Sequence, residues 1–170
     1  MKVSEDWLIH EDEVCFSQRV ERLDWLSEIM PEAQFLTFSG GTMAKYLFEE
    51  ARYCFVYGQY LAVIILGLAF LEKTLASWFY AAGRNDLKRV GISRILKEAE
   101  NEGWLTKDEY DNIERIRLVR NPVAHFRAPL EEDTVEFRAM INEEQPYSVI
   151  EQDSRLVLET VMQVLGRNAV

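Results

Sequence analysis

Leu61-Ala-Val-Ile-Ile-Leu-Gly-Leu-Ala-Phe-Leu71, followed by Glu72 and Lys73, is the stretch on which the fold turns. Its apolar side chains fall on nearly every side of a helical wheel, the pattern of a helix enclosed by neighbours rather than lying on a surface. The uninterrupted run is well short of the roughly 20 residues that a membrane span needs. It therefore reads as the central helix of a bundle, extending over about 59 to 81.

Working outward, helical periodicity continues in both directions. Helices are predicted at about 15 to 29, 43 to 57, 93 to 102, 107 to 120 and 148 to 166, with a weaker one near 131 to 140. No segment alternates as a strand ladder would, so the fold class is all-α. Thr106-Lys-Asp-Glu109 and Ser148-Val-Ile-Glu151 have the spacing of a capping box, in which hydroxyl and carboxylate satisfy free N–H groups at a helix start. Gly83 and Gly103 stand where helices should stop, and Ser39-Gly-Gly-Thr42 reads as a turn into the next helix. Residues 1–41, acidic and Trp-containing, form an N-terminal helical extension, and residues 42–170 form the compact bundle.

Composition narrows the function classes. At 170 residues and 48% hydrophobic content, the chain has enough apolar material for one folded core. The start, Met-Lys-Val-Ser-Glu-Asp, lacks the features of a secretory signal, which predicts a cytoplasmic protein with no membrane attachment. Cys15 and Cys54 form no C-x-x-C pair and have only His10 and His125 beside them, so neither a metal nor another cofactor is expected. His10 lies in an acidic stretch and reads as surface.

The formal net charge is −10, which opposes a general coating of nucleic acid. The charge is uneven, however. Residues 84–97 carry Arg84, Lys88, Arg89, Arg94 and Lys97 against Asp86, and residues 115–127 carry Arg115, Arg117, Arg120 and Arg127 with no acid at all. A basic patch on an acidic body suits a selective RNA site, because the body repels what the patch does not hold. Solvated surface paired with nearby acids is the other reading of the same stretches.

Within the second stretch, the helix over 107–120 buries a stripe set by Tyr110, Ile113, Ile116 and Val119. Arg120 falls about 20° from Ile113 on the wheel and Arg117 about 40° from it on the other side. Both arginines thus turn toward the buried side and need a partner or a cleft. Glu72, the odd residue of the central helix, is the expected partner for Arg117 or Arg120 through the planar guanidinium fork. Pro122 should end or kink the helix, with Asn121 before it pushed out of the α region. In an unbroken helix Arg120 and His125 would diverge by about 140°, so a break is what lets them converge on one phosphate.

Arg120-Asn121-x-x-x-His125 resembles the R-polar-x(3–5)-H signature of the HEPN superfamily, small all-α domains that include many metal-independent ribonucleases of toxin and antiviral systems. The likeness covers roughly residues 42–166. The segment Gly103-Trp-Leu-Thr-Lys-Asp-Glu-Tyr and the following Arg-Leu-Val-Arg-Asn-Pro-Val-Ala-His is also similar to the mannitol-operon-repressor-like proteins, a helical group for which nuclease activity is not implied. The first resemblance implies a HEPN-like bundle and a homodimer in which both motifs face a shared cleft. It also implies a partner protein, a cognate antitoxin or a nucleotidyltransferase-like protein, that restrains a toxin.

The chemistry of RNA cleavage agrees with a dimer, since 2′-OH attack needs a base and an acid and the motif holds one histidine. On this reading His125 and Arg120 are catalytic, moving protons and holding the scissile phosphate. Asn121 orients His125 or the phosphate, Arg117 helps to hold the strand, and Glu72 fixes an arginine. The alternative is a non-catalytic helical interaction or regulatory module, in which Arg120 and His125 bind an anion or close an interface.

Overall fold

The computed structural model describes residues 3–32 and 35–167. Those residues form seven α-helices and one short 3-10 turn, Asn85–Leu87, with no β-strand among them. In chain order the helices are α1 (Val3–Ile29), α2 (Gly41–Val56), α3 (Tyr60–Ala81), α4 (Ile92–Asn101), α5 (Lys107–Ala124), α6 (Val135–Asn142) and α7 (Pro146–Gly166). The all-α bundle expected from the periodicity is the architecture found.

α3 is the hub, packed by α2, α7, α5 and α4. Val63, Ile64, Leu68, Phe70, Leu71, Leu75 and Phe79 are buried along it. Each such side chain contributes about 1.5–3 kcal/mol when it leaves water. Aromatic rings fill both ends of the core: Phe70 lies 5.9 Å from Phe48, and Phe79 stacks on Trp104 at 4.4 Å. Glu72 and Lys73 do not interrupt the helix, which by length and composition alone would suffice to cross a membrane. Enclosure is also incomplete. Leu61 and Ile65 stay 48% and 40% exposed, so one strip of this apolar helix reaches the surface.

α3 and α7 approach each other closely. Gly67 is buried, and a Cβ added there would lie 2.1 Å from Cγ1 of Val157. Only a residue without a side chain admits α7 at this distance, and the stiff, buried valine cannot swing aside. α6 is fastened to the other side of α7 by Arg138, whose guanidinium donates to both carboxylate oxygens of Asp153 at 2.7–2.9 Å. Asp153 is only 3% exposed, so this pair anchors α6 in a single place.

The helix ends follow local chemistry. The Thr106–Glu109 capping box is formed, with Glu109 N–H donating to Thr106 Oγ1 at 3.3 Å and Thr106 N–H to Glu109 Oε2 at 2.7 Å. Gly83 and Gly103 adopt φ of 82° and 69°, the left-handed conformation in which glycine ends a helix without strain. The second capping box is not used. α7 begins at Pro146, because proline suits the first helical position, and Ser148 then falls inside the first turn.

α1 starts far earlier than residue 15. Trp7, Leu8 and Ile9 point to different sides, so the segment has no single apolar stripe for a periodicity argument to find. Glu5 and Asp6 in the first turn complement the helix dipole. Only the far end of α1 joins the core. Leu26 is buried, Trp25 packs 4.9 Å from Phe55, and Arg22 Nη1 donates to the Val56 carbonyl at 2.9 Å. His10 is exposed, as its acidic setting suggests, and Cys15 and Cys54 are free thiols, both half-buried.

The α3–α7 contact yields a test. Gly67→Ala gains helix propensity, yet the clash with Val157 dominates, and the variant should lose about 1–3 kcal/mol in chemical denaturation. Adding Val157→Ala should recover part of that loss. A Gly67→Ala variant as stable as the wild type would contradict the close packing.

Candidate functional site

α5 carries the site because its buried stripe fixes its rotation. Ile113, Ile116 and Val119 enter the core, and this places Arg117 and Arg120, both half-buried, along the margin of the same face. With Asn121 they line a cleft of about 500 Å3. The opposite walls are Ile65, Leu68, Ala69 and Glu72 of α3 and the start of α4 from Gly91 to Arg94. Four residues singled out from the sequence, Glu72, Arg117, Arg120 and Asn121, are thus brought together.

His125 stands at the rim. It is the C-cap of α5, with extended φ and ψ of −132° and 141°, and its N–H donates to the Asn121 carbonyl at 2.9 Å. Its ring Nε2 lies 3.5 Å from Arg120 Nη1, at the outer limit of a hydrogen bond. A guanidinium only donates, so this contact requires Nε2 to present a lone pair, as in the neutral tautomer protonated on Nδ1. The imidazole itself faces an adjoining hollow lined by Leu61, Phe126, Thr134 and Ile150. Arg120 therefore sits between cleft and histidine.

Convergence arises differently from the expected break at Pro122. α5 runs through Pro122 to Ala124, and Asn121 remains helical. Pro122 deprives the Leu118 carbonyl of its donor. Leu118 is on the open side of α5, where solvent can satisfy that carbonyl, so the cost is small enough for the helix to continue. The extended conformation of His125 one residue past the helix, rather than a kink at the proline, turns the imidazole back toward Arg120.

The expected ion pair is also absent. Among the described residues Glu72 makes no hydrogen bond or ion pair. Burial pushes its carboxyl above the usual glutamate range, and the nearby positive charge of Arg120 offsets only part of that cost. Arg117 is engaged elsewhere, donating to both oxygens of Glu114 at 2.6 and 2.9 Å and holding that carboxyl below its usual range.

The same sorting applies to the basic stretches. Arg84 bridges Asp86, Glu98 and Glu102, and Arg127 binds Asp133 at 3.0 Å, so both serve to hold loops in place. Arg94 and Arg120 make no ion pair among the described residues, and both line the cleft. Lys88, Arg89, Lys97 and Arg115 also make no ion pair among the described residues, but they lie outside the cleft, which takes Arg94, Arg117 and Arg120 from the two stretches.

Two neighbours of the site carry no signal in the motif. Arg94 belongs to a stretch noted for its charge, but nothing in its spacing places it opposite Arg120. Phe126 follows the motif histidine, is 90% exposed and shares a hollow with Leu61, an apolar surface next to the imidazole. No protein family, curated protein or solved structure matches this chain.

Glu72 gives the site a pH signature. Its folded carboxyl binds a proton more tightly than in the unfolded chain, so the stability linked to it is fully present in acid, below the ordinary glutamate range. That stability is lost as pH rises through the raised folded value. Glu72→Gln removes the buried charge and should melt at a higher temperature than the wild type at neutral pH, the difference closing in acid. A Glu72→Gln variant less stable than the wild type at neutral pH would mean that the carboxylate has a binding partner.

Proposed function

We propose that this chain is a metal-independent endoribonuclease of HEPN type that acts as a homodimer. The observation carrying the reading is the approach of Arg120 Nη1 to His125 Nε2 at 3.5 Å on the edge of a cationic cleft. The Arg120-Asn121-x-x-x-His125 spacing, the all-α bundle and the position of Glu72 support it. The exposed Leu61, Ile65 and Phe126 around the histidine support a second copy at this face, since an apolar patch beside a polar site is the usual form of an interface.

In the proposed reaction neutral His125 removes the proton from a ribose 2′-OH, whose oxygen attacks the adjacent phosphorus. The bond from phosphorus to the 5′ oxygen breaks, and the same histidine of the second copy, protonated, gives its proton to that oxygen. The products are a 2′,3′-cyclic phosphate and a 5′-hydroxyl. Arg120 holds the phosphate and stabilises the charge that grows on its oxygens. Asn121 positions the histidine through its carbonyl, and Arg117, paired with Glu114, contributes only a weakened charge. The same resemblance extends the proposal to a cytoplasmic toxin restrained by an antitoxin or nucleotidyltransferase-like protein.

A second reading, a non-catalytic interaction or regulatory module, is favoured by the same Arg120–His125 contact if it serves only to close the end of α5. The two separate in one assay. Tag-free protein incubated with RNA in EDTA should generate 2′,3′-cyclic phosphate ends. His125→Ala should slow cleavage by about 10²–10⁴-fold and Arg120→Ala by about 10²–10³-fold. Intact RNA with the wild type, or equal cutting by His125→Ala, would leave the module. Phe126→Glu should separate the dimer in light scattering and remove cleavage with it, whereas an active monomer would contradict the shared site.

A further inference from the structure

The cleft beside the motif contains more than a phosphate needs. Ile65, Leu68, Ala69 and Ile92 give it an apolar wall, and its volume of about 500 Å3 is in the range of small-ligand sites and ample for one nucleotide. Arg94 and Arg120 stand on opposite sides without ion pairs among the described residues, and Glu72 shares the cavity without accepting a hydrogen bond from any of them. α4 opens onto the same space from Gly91, which supplies no side-chain cap, so the first N–H groups of that helix add to the positive field.

We propose that this cleft holds the nucleotide next to the scissile phosphate and that Glu72 selects guanine there. The assignment rests on reading Arg120 as the phosphate-holding group of the ribonuclease. A carboxylate only accepts, and it accepts best from two donors side by side. Guanine alone among the four RNA bases presents adjacent N–H donors, at N1 and N2, on its Watson–Crick edge. Adenine and cytosine offer one donor beside an acceptor, and uracil offers one donor between two acceptors. The base lies against Ile65 and Ile92 while Arg94 and Arg120 neutralise the backbone.

A peptide arginine also presents paired donors, but Arg94 and Arg120 repel it. In the proposed complex the paired N–H donors of guanine supply the Glu72 carboxylate with its hydrogen-bond partners. Burial that raises the Glu72 proton affinity agrees with this, because a desolvated carboxylate gains more from two incoming donors than a solvated one.

The test is binding of the four 3′-mononucleotides to the intact 170-residue protein, followed by calorimetry or NMR titration. Guanosine 3′-monophosphate should bind at least about tenfold more tightly than the others, the scale of one good bidentate contact. Glu72→Gln offers one acceptor and one donor, so it should lose the guanine preference and shift it toward adenine and cytosine. Equal binding of all four nucleotides, no binding of any, or a guanine preference that survives Glu72→Gln would overturn the proposal. Cleavage of RNA with no base preference in binding would leave the ribonuclease standing without this subsite. Guanine-selective binding without cleavage would retain the subsite and remove the reaction.

Discussion

The contact between Gly67 and Val157 sets the spacing of α3 and α7, and the remaining helices arrange themselves around that pair. With α7 seated against one side of α3 and α2 against another, α4 and α5 close the rest. One strip is left, running from Leu61 through Ile65 and Ala69 to Glu72. It is the part of the most apolar helix that no other element covers, and it forms the wall shared by the cleft and the approach to His125. The packing constraint at the centre therefore decides which residues the surface site can use.

Charge is distributed by the same geometry. Several cations are neutralised within the chain: Arg84 by three carboxylates, Arg117 by Glu114, Arg127 by Asp133 and Arg138 by Asp153. Such pairs hold turns and helix ends in place, and the exposed ones contribute little to stability individually. Arg94 and Arg120 make no ion pair among the described residues and line the cleft together with Glu72. An acidic protein thus retains a local positive field where an anion can enter, beside a carboxylate whose partial burial is costly.

Much of the bundle could be read directly. The apolar run at 61–71 predicts the hub, and the Thr106 capping box and the glycines at 83 and 103 predict their helix boundaries, because each depends on local chemistry. The inward turn of Arg117 and Arg120 is also legible, since a helix of known register has only one buried side. What escaped depends on contacts between distant residues or on competing local effects. The role of Gly67 appears only when Val157 faces it, and Arg117 chooses Glu114 over Glu72 because three residues along a helix is nearer than the next helix. Pro122 lowers the preference for helix without forbidding it, so the chain turns at His125 instead. The first half of α1 is helical without an apolar stripe, which leaves periodicity nothing to detect.

The proposal that Arg120 and His125 form half of a ribonuclease site, completed by a second copy, meets its most direct test in specific activity. That activity is measured on RNA in EDTA across protein concentrations spanning the dissociation of the dimer. Cleavage per chain should fall in step with the dimer fraction as the protein is diluted. Cleavage per chain that stays constant through dissociation, or no cleavage by the intact dimer, would contradict it.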